Sequence, residues 1–369
     1  MPHSKNLDLL IEKALKNTIT NIKDLTDKLE HEKVIFINDK ETGLKAIIAI
    51  HNTSLGPAIG DTRVLNYKTD REALEDVLKL SKDITYKAAI NGLNIGGGNA
   101  IIIGDPATIK TPKILKKFGE YVNELQGKFI SRTDINTTPT DLSYINETTS
   151  YVIGLNNKSG VTSPFTAYSV LQGIKASAFY LWGSEDLKDK KIVIQGLGKV
   201  GTYIVDFLTK EQAILFVTDT DTSKIEKTIF KYKDVTPILP EEIYTFEADI
   251  LVPCALGGIL NQHTIPVLNY KLIAGAANNQ LQNEELDSQL LEEHGILLAP
   301  DFLINTGSLI NDYYELTEGN NCLVQSKIDN IYLKTLETYF CANQKNIPPY
   351  LAAKQIAEEH IQQVQIRKN

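Results

Sequence analysis

Residues 190–208 read KKIVIQGLGKVGTYIVDFL. A short apolar run, IVIQ at 192–195, enters Gly196-Leu197-Gly198-Lys199-Val200-Gly201, and an amphipathic segment follows. A bare GxGxxG says little; set between a strand and a helix it has a mechanism. The first glycine allows a tight turn, the second lets a pyrophosphate approach the backbone, and the third brings helix and strand together. The helix N-terminus then faces the phosphates. Lys199 and Val200 fill the variable positions of the same turn and are counted with Gly196, Gly198 and Gly201 as cofactor-binding. The next strand-like run, ILFVTD at 214–219, ends on Asp219. A carboxylate there accepts hydrogen bonds from the adenosine ribose and repels a 2′-phosphate, so NAD is the expected cofactor rather than NADP.

Further runs follow at ILVPCA (250–255), LIAGAAN (272–278) and ILLAPD (296–301), separated by polar or helical segments and preceded by a helix-like stretch at 164–181. Apolar strands alternating with helices predict a parallel sheet covered on both faces. The N-terminal part reads differently. Residues 7–30 have the period of one or two amphipathic helices. VIFIN (34–38) and LKAIIAIH (44–51), joined by DKETG, predict a hairpin. Thr69 and Glu72 form a capping box ahead of Ala73, Leu74, Val77, Leu80 and Ile84, which predicts a helix ending near Lys87. The isoleucines after Asn99 predict a short buried strand. The segment 325–364 is helical and is expected to pack back across the first domain. The fold expected is α/β with two domains and a cleft between them: a substrate-binding and oligomerisation domain at 1–150 plus 333–369, and a Rossmann-type dinucleotide domain at 151–332.

Composition narrows the function. The 369 residues carry a net charge of −8 and a pI near 5.4, which argues against general affinity for nucleic acid or acidic membrane surfaces. No apolar run approaches the roughly 20 residues of a membrane-spanning helix, and the first residues lack the apolar core of a signal peptide. Cys254, Cys322 and Cys341 are scattered and odd in number, which suits a reducing cytoplasm better than a disulfide framework. The six histidines show no metal-ligand spacing, so no metal is expected.

Six stretches carry a resemblance. They are TYKAAINGLNIGGGNAIIIGDP (85–106), GPAIGDTR (56–63), SPFTAY (163–168), PCALGG (253–258), AGAANNQL (274–281) and APDFLINTGSLIN (299–311). Together, in their order along the chain, these stretches make the chain from about residue 30 onward resemble the glutamate/leucine/phenylalanine/valine dehydrogenase family, most of all its leucine and phenylalanine branch. That resemblance implies oxidative deamination of an L-amino acid to a 2-oxo acid and ammonia with hydride passing to NAD, and an assembly built through the N-terminal domain. It implies that Lys87 holds the substrate carboxylate and that Asp134 lies near the substrate amine. It implies further that Thr166, Asn278 and Asn305 contact the cofactor. Cys254 and Ala255 are placed with the cofactor-binding residues, although Cys254 by itself reads as a small buried residue at a strand end.

The chain departs from the family in one pocket. The family pattern resembles GGGK, its lysine being the general base that takes a proton from water attacking the imine carbon. Here the position is Asn99. An amide is no useful proton acceptor near pH 7, although it can orient a water or a carbonyl. Asp61 stands where the family has glycine, and Arg132 where a small residue is usual. By resemblance, Ile59, Gly60, Asp61, Arg132, Leu309 and Asp312 belong to the substrate-binding set. Asp61, Arg132 and Asp312 put three charges in a normally apolar, glycine-lined region, and they should pair with each other or with a ligand, because unpaired buried charges cost several kcal/mol. Arg132 with Asp61 or with Asp312 is the expected pair. Two functions stay open: a dehydrogenase with an unusual substrate, or a non-catalytic homologue that binds NAD as a partner subunit or sensor.

Overall fold

The computed structural model describes residues 29–155, 162–317 and 321–368. The helical reading of residues 7–30 lies outside them, apart from Leu29 and Glu30, which form a turn. By contacts the chain divides into two units, one comprising residues 1–85 and 96–152, the other 86–95 and 153–369.

The first unit is built on a five-stranded mixed sheet. Its strands are β1 (Lys33–Asn38), β2 (Lys45–Asn52), β3 (Ala58–Leu65), β4 (Gly96–Ile103) and β5 (Phe129–Thr133), in the order β1-β2-β4-β3-β5. The expected hairpin forms, with β1 antiparallel to β2 and a turn closed by the Thr42 amide on Asp39 (2.8 Å). Helix α1 (Asp70–Ile90) begins at the expected cap, where the Glu72 amide donates to the Thr69 hydroxyl; the Glu72 carboxylate reaches one residue further back than a capping box requires and accepts from the Lys68 amide. It runs past Lys87 because its stop signal is Gly92, which adopts φ +62° while the Leu93 amide bonds back to Ala88. Ala73, Leu74, Val77 and Leu78 of α1 pack on Ile47, Ala49 and Ile101. Helices α2 (Pro112–Glu124) and α3 (Pro139–Asn146) complete this unit.

Helix α4 (Ser163–Trp182) leads into the second unit's sheet: β6 (Lys191–Gln195), β7 (Ile214–Thr218), β8 (Thr236–Pro237), β9 (Ile250–Pro253), β10 (Leu272–Ile273) and β11 (Leu297–Leu298). Every pairing is parallel, in the order β11-β10-β9-β6-β7-β8. Read from β6 outward this is the doubly wound order, with a switch point between β6 and β9. Around it stand α5 (Lys199–Lys210), α6 (Thr222–Lys231), α7 (Glu284–Glu293), α8 (Asp301–Ile304) and α9 (Gly307–Leu316). The expected C-terminal helical segment is two helices, α10 (Asn321–Lys345) and α11 (Pro349–Lys368). Sequence reading attached 333–369 to the first domain. By contacts these residues group with the second unit, where α10 packs on α4 and α11 packs on α10 and α7. Among the described residues no helix is long and apolar enough to cross a membrane.

Candidate functional site

The glycine turn sits at the switch point of the second sheet. Gly196 follows β6 with φ +99°, and a Cβ on it would lie 2.9 Å from the Ala255 amide nitrogen and 3.0 Å from the Cys254 carbonyl carbon. A Cβ on Gly201 would sit 2.0 Å from the Gly196 carbonyl oxygen, so the turn and the start of α5 require glycine at both positions. Gly198 caps α5 without a side chain, and a Cβ there would meet nothing within 4 Å. The first-turn amides of α5 therefore have no side-chain cap, which suits an anionic ligand. Lys199 is exposed and Val200 half-buried beside them.

Asp219 directly follows β7, its side chain only 8% exposed. One oxygen accepts from the Leu197 amide (2.7 Å) and the other from the Asp221 amide (2.9 Å), which ties the carboxylate to the glycine turn. Burial alone would raise its pKa; those two amides and the Lys224 ammonium prevail and hold it below the usual carboxylate range. Cys254 and Ala255 follow β9 against the same turn. Burial pushes the Cys254 thiol up to about 12, so it stays a neutral packing group. These residues fit a dinucleotide.

A second group lies in the same unit. The Lys87 ammonium, 8% exposed, donates to Asn278 Oδ1 at 2.8 Å, and Asn305 Nδ2 donates to the same oxygen at 2.8 Å. Lys87, Asn278 and Asn305 are thus brought together on one acceptor. Thr166 is buried in the first turn of α4, where its carbonyl accepts from the Ser169 hydroxyl, which in turn accepts from the Gly307 amide. Leu309 and Asp312 are buried in α9, and Asp312 accepts from Asn311.

The first unit carries Asp61, Asn99 and Arg132. The register aligns Asp61 with Asn99 on one side and with Arg132 on the other, so the three side chains form one row across β4, β3 and β5. Arg132 pairs with Asp61, as one of the two expected pairings. Ile59 is wholly buried and Gly60 buried in β3 beside it. Asn99 is 0% exposed, and neither its amide oxygen nor its amide nitrogen has a hydrogen-bond partner among the described residues. Each such group costs about 1–3 kcal/mol of desolvation, which makes it an anomaly in a folded core. The glycines before it make room for the chain's own atoms. A Cβ on Gly96 would meet the Asn52 carbonyl, on Gly97 the Thr85 side chain, and on Gly98 the Phe129 ring.

Asp134 follows β5. Its Oδ2 accepts from Arg63 Nε (2.7 Å), and its amide donates to the Thr137 hydroxyl (2.6 Å). Burial and repulsion from Asp61 push its carboxyl above the usual range, against the pull of Arg63. Arg63, Asp76 and Tyr67 were not singled out by the sequence reading. The available signal was two charges, Asp61 and Arg63, alternating on one face of an otherwise apolar strand. No cluster of His, Cys, Asp and Glu able to hold a metal occurs among the described residues.

Residues 31–151 match the model of the Glu/Leu/Phe/Val dehydrogenase dimerisation domain, and residues 217–367 match that of the Glutamate/Leucine/Phenylalanine/Valine dehydrogenase domain. The chain is 44% identical over 334 residues to an L-tryptophan dehydrogenase of Nostoc punctiforme, covering 90% of this chain and 94% of that one. It is 43% identical over 336 residues to a leucine dehydrogenase of Geobacillus stearothermophilus, covering 90% and 91%. The crystal structure of the L-tryptophan dehydrogenase from Nostoc punctiforme superposes with a TM-score of 0.78 at 41% identity, over 93% of this chain and 99% of that one.

Proposed function

The chain belongs to the Glu/Leu/Phe/Val dehydrogenase family, and from that premise we propose that it is an NAD-dependent oxidoreductase acting on the CH–NH2 group of an amino acid or on a related imine, with an altered active site. Members of the family are NAD(P)-dependent amino-acid dehydrogenases. The observation that carries the altered site is Asn99: a neutral, wholly buried amide in one row with the Asp61–Arg132 pair.

The roles divide as follows. The Lys87 ammonium takes the substrate carboxylate, exchanging its bond to Asn278 for a stronger charge-assisted one. Asp134 meets the substrate amine and, with its raised proton affinity, takes a proton from it. Asn305 and Asn278 orient the nicotinamide end, the glycine turn and α5 hold the pyrophosphate, and Asp219 takes the ribose and disfavours a 2′-phosphate. When bound, the nicotinamide supplies the hydride acceptor. Asn99 can orient a water or a carbonyl through its amide and cannot carry the proton that a lysine base would accept. Loss of a general base costs on the order of 10²–10⁴ in rate where water must attack. Hydride transfer to a preformed imine needs no such base. The charged row favours a polar substrate side chain over leucine. A homo-oligomer in the cytoplasm is the setting proposed for it.

The same amide supports a second reading, a homologue that binds NAD without turnover and acts as partner subunit or sensor. An assay of NADH formation over a panel of L-amino acids, basic and acidic ones included, on the wild type and Asn99→Lys separates them. Turnover of a polar amino acid by the wild type is expected. Silence in both proteins, with NAD binding measured, would leave only the second reading. Robust wild-type turnover of leucine would show that Asn99 costs the reaction nothing.

A further inference from the structure

The Arg63 guanidinium bonds Asp134, and it does not serve Asp134 alone. It lies on β3 two residues beyond Asp61, on the same face of the strand. Its Nε and Nη2 both reach Oδ2 of Asp134 (2.7 and 2.6 Å), while Nη1 donates to Oδ2 of Asp76 at 2.9 Å. The Tyr67 hydroxyl donates to that same Asp76 oxygen at 2.5 Å. The Arg63 side chain is 10% exposed, Asp134 19% and Asp76 32%. We propose that Arg63 is the positioning residue for Asp134, and that Asp76, backed by Tyr67, sets how firmly Arg63 holds that carboxylate.

The charges around Asp134 explain why sharing matters. Asp61, Asp76 and Asp134 face two guanidiniums, Arg63 and Arg132. Arg132 pairs with Asp61, so Arg63 divides its charge between the remaining two carboxylates. A fork bonded on one edge to Asp134 and at its far nitrogen to Asp76 fixes the Asp134 oxygen in place. It does so without lowering the proton affinity of that carboxyl as an exclusive partner would. Burial and Asp61 win, and the carboxyl stays high. Fixed orientation with high proton affinity is the combination a proton acceptor needs. The alternating charges of β3 thus have separate duties: Asp61 raises the proton affinity of Asp134, and Arg63 aims it. The inference rests on the reading of Asp134 as the group that meets the substrate amine.

The test is carboxyl-carbon NMR titration of the full chain labelled at aspartate, with Asp134 assigned by Asp134→Asn. It is run on the wild type, Arg63→Lys, Arg63→Met, Asp76→Asn and Tyr67→Phe, with melting temperatures alongside. Asp76→Asn frees Arg63 for Asp134 and removes a negative charge, so the Asp134 titration should move down. Arg63→Met should move it up by on the order of one unit. Arg63→Lys should move it up less, because an ammonium keeps charge and loses the fork. Tyr67→Phe should give a small upward shift. If Arg63→Met does not fold, the lysine and Asp76 variants decide. Lower melting temperatures with an unmoved Asp134 titration would reduce Arg63 to a structural residue and overturn the proposal. Shifts as expected, in a protein that turns over no amino acid, would uphold the positioning and sink the catalytic reading instead.

Discussion

At the scale of single residues, the glycine turn of the second unit and the Asn99–Asp61–Arg132 row of the first carry the proposed function. The glycine turn was legible because three glycines, a preceding apolar strand and a following acidic strand end all state one backbone geometry. Asp219 sharpens that reading: its carboxylate is bonded to the turn itself, through the Leu197 amide. On the role proposed for it, replacing Asp219 removes the repulsion of a 2′-phosphate and, with the bond to Leu197, loosens the turn. Asp219→Ser should narrow the preference for NAD over NADP, mainly by weakening NAD, as measured by cofactor titration of the two proteins. Equal affinity of the wild type for both cofactors would remove the role given to Asp219. Asn99 was legible as an oddity from its neighbours in sequence. That both its polar atoms are buried without partners among the described residues was not, because burial of a side chain is set by what packs over the strand.

At the scale of elements, β4 is the central strand of the first unit's sheet, and α1 packs on β2 and β4. The start of α1 could be read from Thr69 and Glu72, and its end from Gly92 more reliably than from the last apolar residue. The pairing of α1 with β2 holds an element that no sequence pattern announced. His31 Nε2 lies 2.7 Å from the Ser81 hydroxyl and His51 Nδ1 lies 2.8 Å from Thr85, with the two rings edge to face at 4.9 Å. Burial lowers His31 to about 4 and His51 to about 3, with the Lys82 charge adding to both. Both rings are therefore neutral in the fold across the range where the unfolded chain takes up their protons. The unfolded chain binds more protons between about pH 6.5 and pH 4, so stability falls as pH drops through that window. Urea midpoints measured from pH 7 to pH 4 should decline, and the decline should flatten in His31→Gln/His51→Gln. An undiminished slope in that double variant would mean that other groups carry it.

At the scale of the whole molecule, two sheets of different kind divide the chain into two contact units. The first unit matches a dimerisation domain by family model, and its sheet ends on β1, an edge strand that exposes Phe36 at 52%. An exposed edge with a large apolar side chain invites pairing with another chain. Light scattering should give a mass that is a multiple of 41.0 kDa, and Phe36→Lys should shift the protein toward the single chain. A wild-type monomer at micromolar concentration would end that expectation. The assignment of 333–369 was the least legible part of the architecture. A helical period says which residues share a face and leaves open which surface will cover that face.

By itself the sequence determined the α/β class, the hairpin, the capped helix, the parallel second sheet and its glycine turn. Each is written in local terms: period, cap, glycine and strand-end charge, all short-range consequences of backbone geometry. The tertiary structure alone decided that Asp61 takes Arg132 as partner, that Arg63 is shared between Asp134 and Asp76, and that three glycines yield to Asn52, Thr85 and Phe129. Those are contacts across strands and between strand and helix, set by register and packing. A side chain's charge partner depends on which strand lies beside it, and that follows only once the sheet has assembled.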